Sequence, residues 1–122
     1  NPAERLELLK NNLEGPKKLA LNTVDKIHIV DIKDIIRLES HINYTQFYFK
    51  DGTKLLVTKT LKEFDKMLNE HNFIRVHQSH LIAKDQIKAF LKQNGEIQLK
   101  DESKIPVSTR KKAILMEMIS KL

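Results

Sequence analysis

The sequence predicts a mostly β domain with two or three short helices, and two kinds of pattern support this prediction. Short runs such as "KIHIVD" and "YTQFYFK" are rich in branched and aromatic residues, which are typical of strands. Asp51-Gly52 and Asn94-Gly95 each separate two such runs, and these dipeptides are strong hairpin signals. At 122 residues the chain has the length of one domain with its own core.

The first residues predict a helix of their own. Pro2 stands at the tolerated first helical position, and Gly15 marks the end. Leu6, Leu9 and Leu13 form a narrow apolar stripe at helical spacing. We therefore expect a linker or docking helix at 1–16 and the domain proper at 17–122. The chain does not begin with methionine, so we expect it to be a piece of a longer protein.

Strands are then expected at 17–22, 26–31, 34–40, 44–50 and 51–59, the last one containing the first hairpin turn. The next helix begins at Thr60, which forms a capping box with Glu63. Leu61, Phe64 and Leu68 line one face of that helix, so this face is expected to pack on the core.

The last part of the chain predicts three more strands and a final helix. The strands are expected at 86–93, 96–100 and 104–108. Ser108 is placed to cap a basic helix, "TRKKAILMEMISKL". Its apolar side is expected to contain Ile114, Leu115, Met118 and Ile119.

The stretch "FIRVHQSHLIAKDQI" at 73–87 begins like a strand but carries an unusual number of polar side chains. We expect Val76, Leu81 and Ile82 to anchor it in the core. The polar side chains between them are then exposed at a turn, where a partner can reach them.

Positive charge is concentrated towards the end of the chain. The formal net charge is +6. Residues 1–74 carry 12 Lys and Arg against 11 Asp and Glu, a net of +1, whereas residues 75–122 carry 10 against 5, a net of +5. A polyanion such as nucleic acid would account for this concentration. A solvated basic face that keeps the domain soluble is the alternative interpretation.

Several functional classes find little support in the sequence. Cysteine is absent, which excludes disulfides and thiolate metal sites and fits a reducing cytoplasm. No apolar run approaches the roughly 20 residues of a membrane span. The glycines are isolated, so no phosphate-binding loop is present, and Ser79 beside His80 has no nucleophile elbow around it. His77 and His80 have no third metal ligand nearby. We therefore expect no enzyme activity, no cofactor and no metal.

Three polar segments favour DNA binding instead: "SHINYTQ", "RVHQSHLIAK" and "STRKK". Asn and Gln can pair with adenine edges and Arg with guanine, while Ser, Thr, Tyr and Lys suit phosphate oxygens. The start of the final helix adds free N–H groups that favour a phosphate. The alternative function is a protein-interaction module whose basic face binds an acidic partner domain.

The order "IIRLESHINYTQFYF", "DGTKLLVTKTLKEFDKML", "FIRVHQSHLIAKDQI" and "GEIQLKDESKIPVSTRKK" resembles the LytTR family of DNA-binding domains, from about residue 18 to the C-terminus. The resemblance implies an elongated fold of antiparallel sheets. It also implies the output half of a cytoplasmic bacterial response regulator, carried after a receiver domain. Such domains place loops in successive major grooves of double-stranded DNA and in the minor groove between them. Two copies usually bind a pair of direct repeats upstream of a promoter, as a homodimer.

Carried over by this resemblance, the DNA-binding residues fall in three loops. The first loop comprises Asn43, Tyr44, Thr45 and Gln46. The second comprises His77, Gln78 and Ser79, with Arg75 just before and Lys84 just after. The third comprises Ser108, Thr109, Arg110 and Lys111.

The sequence departs from the family pattern in two places. Ile82-Ala83 replaces the frequent Val-Asn, and Thr109 stands where many members have Arg, with Arg110 following. Which of Thr109 and Arg110 faces the groove therefore stays open. His77 has the alternative role of staying inside and bonding the backbone to fix its loop.

Overall fold

The computed structural model describes residues 17–122, so the helix expected at 1–16 lies outside the described residues. The described part contains ten strands: β1 (Lys18–Asn22), β2 (Ile27–Asp31), β3 (Ile35–His41), β4 (Tyr44–Phe49), β5 (Lys54–Val57), β6 (Phe73–His77), β7 (His80–Ala83), β8 (Ile87–Leu91), β9 (Glu96–Leu99) and β10 (Lys104–Pro106). It contains two α-helices, α1 (Leu61–Leu68) and α2 (Thr109–Ser120), and two single-turn 3-10 helices, Ile32–Asp34 and Lys84–Gln86. The prediction of a mainly β fold is confirmed.

The strands form three antiparallel sheets. A five-stranded sheet has the order β5-β4-β3-β7-β6, a two-stranded sheet pairs β1 with β2, and a three-stranded sheet has the order β10-β9-β8. Strand β3 pairs with β4 on one side and with β7 on the other. Pairing of β3 with β7 therefore joins two hairpins, β3–β4 and β6–β7, that are far apart in the sequence.

The five-stranded sheet contributes to two hydrophobic cores. One core joins it to β1 and helix α1, whose Leu61, Phe64 and Leu68 are all buried as predicted. The other joins it to the three-stranded sheet and helix α2. Because side chains alternate across a strand, Leu81 of β7 faces the first core and Ile82 faces the second. Val76, Leu81 and Ile82 are buried, which confirms their predicted role as anchors.

Both predicted glycine turns are present. Gly52 has φ +90° between β4 and β5, and Gly95 has φ +64° between β8 and β9. These values lie in the left-handed region, which glycine adopts without a steric penalty from a Cβ atom.

The helices begin where the sequence predicts, but two details differ. Neither Thr60 nor Ser108 makes a side-chain capping hydrogen bond, so the predicted capping box is wrong. The main-chain carbonyl of Thr60 accepts the N–H of Glu63 at 3.2 Å instead. In α2 the side chain of Leu115 is buried, whereas Ile114 is 57% exposed and does not belong to the packed face. Within residues 17–122, neither helix is long and apolar enough to cross a membrane.

Candidate nucleic-acid interface

Two turns lie side by side at one end of the five-stranded sheet. The turn between β3 and β4 follows the pair His41–Tyr44, and the turn between β6 and β7 follows the pair His77–His80. These hairpins are joined because β3 also pairs with β7. In addition, the main-chain N–H of Ser40 donates a hydrogen bond to the carbonyl oxygen of Ser79 at 2.9 Å. The first two predicted recognition loops are therefore neighbours.

The third segment reaches the same end of the sheet through one main-chain hydrogen bond. The N–H of Ser108 donates to the carbonyl oxygen of Val76 at 2.8 Å. Val76 lies one residue before the end of β6, and Ser108 directly precedes α2. This bond holds the start of the basic helix beside the second turn.

An open cleft separates the second turn from α2. Its volume is about 540 Å³, and its lining residues are Asp65, Arg75, His77, Gln78, Ser108, Arg110 and Lys111. Six of these residues were predicted from the sequence as DNA contacts. Asp65 was not, because it comes from helix α1 and only the tertiary fold brings it to this surface.

Arg75 organises the second turn from within β6. Its Nη2 donates a hydrogen bond to the main-chain carbonyl oxygen of Gln78 at 2.6 Å, and its Nη1 lies 3.7 Å from Oδ2 of Asp65. The Arg75 side chain is 26% exposed, so it is held against the protein rather than extended into solvent. Its charge nevertheless borders the cleft.

His77 fixes the same turn through its ring. The Nδ1 atom of His77 accepts a hydrogen bond from the main-chain N–H of Ser79 at 3.0 Å. This acceptor role requires an unprotonated Nδ1 atom. The geometry agrees with the alternative in which His77 bonds the backbone and shapes the loop, while its half-buried side chain still borders the cleft.

His80 packs beside His77, with the ring centroids 5.3 Å apart. Burial lowers the pKa of His80 below the ordinary value of 6.5, and the nearby charges of Glu39 and Arg37 act in opposite directions, raising and lowering it respectively. The Glu39 carboxylate lies 3.7 Å from His80 Nδ1 and 3.1 Å from Arg37 Nη1. His80 therefore belongs to the packed base of the turn.

The first turn presents fewer predicted residues than expected. Asn43 and Tyr44 are exposed, and Gln46 is half-buried within β4. Thr45 is fully buried, and its hydroxyl donates to the carbonyl oxygen of Lys59 at 2.7 Å. This burial disagrees with the expected contact between Thr45 and DNA. The residue instead ties β4 to the chain that leaves β5.

Lys84 is also displaced from the other predicted contacts. It follows β7 at the end opposite the Gln78 turn. There its main-chain N–H donates a hydrogen bond to the carbonyl oxygen of Asn72 at 2.8 Å. Five residues of extended chain correspond to roughly 17 Å, so Lys84 lies apart from the turn that carries Gln78. The structure thus places Lys84, expected as a DNA contact just after the second loop, at the other end of β7 from that loop.

At the start of α2 the two candidate groove residues differ in position. Thr109 and Arg110 are both exposed, but only Arg110 lines the cleft beside Gln78.

Residues 17–122 contain no group of three or more His, Cys, Asp or Glu that could hold a metal ion. The arrangement offers hydrogen-bond donors, an amide and cationic groups on one surface, which is the chemistry of a polyanion interface.

An antiparallel β domain that gathers polar turns and a basic helix start at one end defines a candidate DNA-binding module. The chain matches the family described as "LytTr DNA-binding domain" over residues 25–120. It therefore belongs to the LytTR family of DNA-binding domains, as the resemblance in its sequence implied.

Individual relatives agree with this assignment. The chain is 36% identical over 109 residues to the sensory transduction protein LytT of Bacillus subtilis (strain 168), a match that covers 84% of this chain and 44% of LytT. It is 24% identical over 106 residues to the heme-containing CO-sensing transcriptional regulator RcoM 2 of Paraburkholderia xenovorans (strain LB400), covering 84% of this chain and 39% of that protein. The chain thus spans less than half the length of these relatives.

The fold is similar to that of a solved LytTr DNA-binding domain, which belongs to a protein described as a methyl-accepting/DNA response regulator from Bacillus cereus. The TM-score is 0.72 at 21% sequence identity, and the match covers 86% of this chain and 98% of that chain. At this level of identity the likeness concerns the fold alone.

Proposed function

We propose that this domain is the output part of a cytoplasmic bacterial response regulator and binds a specific DNA sequence through its two sheet-end turns and the start of α2. The observation that carries the proposal is the pair of main-chain bonds, Ser40 to Ser79 and Ser108 to Val76, which bring the three polar segments together. The net charge of +5 on residues 75–122 supports a polyanionic partner.

We assign the base-specific contacts with DNA to two uncharged amide side chains and one arginine. Asn43 is exposed in the first turn and Gln78 in the second, and an amide can make two hydrogen bonds to an adenine edge. Arg110 lines the cleft and can pair with guanine. Because Thr109 lies outside the cleft lining, we assign the groove-facing role to Arg110.

Phosphate contacts are assigned to the cationic and hydroxyl groups around these amides. Lys111, Ser108, Ser79 and the exposed Tyr44 surround the proposed reading residues, and such groups set the register of a protein on DNA without reading sequence. Thr45 is left out because its hydroxyl is buried, and Lys84 is left out because it lies at the far end of the hairpin.

In the full-length protein we propose an upstream receiver domain and binding of two copies to paired direct repeats. The relatives are more than twice as long as their matched part, which leaves room for a sensory portion. In a direct repeat the two copies have the same orientation, so the half-sites are expected about one helical turn, or a multiple of it, apart.

In vitro selection tests the proposal. A pool of random duplexes is incubated with the protein, and bound duplexes are amplified and sequenced over several rounds. We expect enrichment of a short motif, and a repeat of that motif if two copies bind together. A pool that stays random would contradict sequence-specific binding and favour the protein-interaction module, whose basic face binds an acidic domain.

A matched selection with Gln78→Ala sharpens the result. If Gln78 reads a base, the motif selected by this variant should lose its preference at one position and keep it elsewhere. A motif identical to that of the unmodified protein would remove Gln78 from the reading residues without affecting the rest of the proposal.

A further inference from the structure

The turn between β3 and β4 contains an isoleucine in an unusual state. Ile42 is 93% exposed, and its φ angle is +55°. It is the first residue after the pair His41–Tyr44 closes the hairpin, so it stands at the tip beside Asn43. A β-branched residue with a positive φ is a genuine outlier, because its Cβ substituents crowd the backbone in that region.

The fold gains little from this side chain. The first position of such a two-residue turn is ordinarily occupied by Gly, Asn or Asp, which tolerate a positive φ. Ile42 lies outside both hydrophobic cores and gains almost no burial in return for the strained backbone. Single exposed apolar residues are common on protein surfaces, but a strained and exposed one is not explained by the packing of this domain.

The position of Ile42 points to a partner. It is located in the turn that lies beside Ser79, at the sheet end where the proposed reading residues gather. The 5-methyl group of thymine is the apolar feature of the major groove, and small apolar side chains contact it. We propose that Ile42 packs its side chain against a thymine methyl group in the bound DNA, an inference that rests on the proposed function.

The contact would read one base pair by shape and apolarity. Asn43, adjacent in the same turn, would supply the polar contact. An amide and a methyl-binding side chain together distinguish A·T from the other base pairs, because the major groove displays both adenine N6/N7 and the thymine methyl. The side chain of Ile42 then contributes only in the complex with DNA. The strained backbone at Ile42 is retained for that contact and brings no benefit to the free protein.

Two variants and a modified base test the inference on the selected duplex. Ile42→Gly removes the side chain and the strain, and we expect binding to weaken about tenfold, which corresponds to one specific contact. Ile42→Val keeps a branched apolar group and should remain within about fourfold of the unmodified protein, since it lacks one methylene group. Ile29→Thr is the matched control, because Ile29 is 63% exposed but borders the Phe49–Asp51 turn at the opposite end of the sheet.

Each thymine of the duplex is then replaced in turn by deoxyuridine, which lacks only the methyl group. We expect one replacement to weaken the unmodified protein about fourfold, as the loss of one buried methyl predicts, and to have no effect on Ile42→Gly. The urea midpoint of Ile42→Gly should not fall, because a residue that serves only the complex does not stabilise the free fold.

Two results would overturn the inference alone: unchanged affinity of Ile42→Gly for a duplex that the unmodified protein selects, or a loss of affinity with no thymine whose methyl group matters. A lower urea midpoint for Ile42→Gly would assign the side chain to the fold and also overturn it. Failure of the unmodified protein to select any duplex is a different outcome, which overturns the proposed function and this inference with it.

Discussion

The guanidinium group of Arg75 donates a hydrogen bond to the main-chain carbonyl oxygen of Gln78, at 2.6 Å. The donor lies in β6 and the acceptor in the turn that follows, so the side chain supports the turn from its base. The planar guanidinium group can bond the Gln78 carbonyl oxygen through Nη2 while its Nη1 atom lies 3.7 Å from Oδ2 of Asp65. Arg75 is therefore a positioning residue for Gln78 as well as a source of charge.

Arg75→Lys separates these two roles. The lysine keeps the charge but loses the fork that reaches Gln78 and Asp65 together. We expect affinity for the selected duplex to fall by about 1 kcal/mol, the usual worth of a hydrogen bond, and affinity for random duplex to stay within about twofold. Fluorescence titrations of both duplexes at one salt concentration measure the two affinities. Equal losses on both would show that Arg75 acts through its charge.

Gln78→Ala tests sequence reading directly. The exposed amide adds no charge, so its loss should weaken binding to the selected duplex by about 1–3 kcal/mol and leave random duplex almost unchanged. Arg110→Ala should weaken both, with the larger loss on the selected duplex, because the side chain can contact phosphate as well as guanine. Competition between the two duplexes gives the specificity ratio. If Gln78→Ala leaves that ratio unchanged, the second turn does not read sequence.

Two lysines make a matched pair for the electrostatic contribution. Lys111 lines the cleft, whereas Lys84 lies at the far end of the β6–β7 hairpin. Each neutralised phosphate releases counterions, so Lys111→Ala should make the dependence of log affinity on log salt shallower by about one unit. Lys84→Ala removes the same charge and should leave the slope unchanged. The opposite result would place the DNA along the other end of the hairpin.

His80 makes the stability of the fold depend on pH. Burial holds its folded pKa below 6.5, so the unfolded chain takes up a proton first as the pH falls. Neutral His80 makes its full contribution to the unfolding free energy above pH 6.5. This contribution decreases as the pH drops from 6.5 towards the pKa of His80 in the folded protein. His80→Phe keeps a packed ring without this proton, so the unfolding free energy should vary less between about pH 7.5 and pH 5.5. Urea unfolding of both proteins at each pH measures the difference. Equal pH dependence would show that His80 is as easily protonated in the fold as outside it.

Strands and turns could be predicted from the sequence because their causes are local. Branched and aromatic residues located β4, and Asp51-Gly52 and Asn94-Gly95 located two turns with a positive φ at glycine. The burial of Thr45 could also have been predicted, because alternate residues of a strand point to the same side and Thr45 lies on the side of Phe47 and Phe49. The loop assignment carried over from the family placed it at the surface instead.

The remaining features arise from contacts that are distant in sequence. Nothing in the local pattern places β3 between β4 and β7, or brings Asp65 of α1 to the cleft. The exposed Ile114 was mispredicted because apolar spacing alone does not show which side of a helix faces the core. The positive φ of Ile42 had no sequence signal, since isoleucine is among the residues least suited to it.

The position of the two turns beyond the last paired residues of their hairpins bears on how binding preferences can diverge. Asn43 and Gln78 stand outside the ladders that end at His41–Tyr44 and His77–His80, while the cores lie behind those pairs. A substitution at either amide leaves core packing untouched, and surface changes of this kind usually alter stability by less than about 0.5 kcal/mol. After gene duplication, two copies of such a domain can therefore acquire different operators by single substitutions at Asn43 or Gln78. No variant along such a path needs to lose its fold.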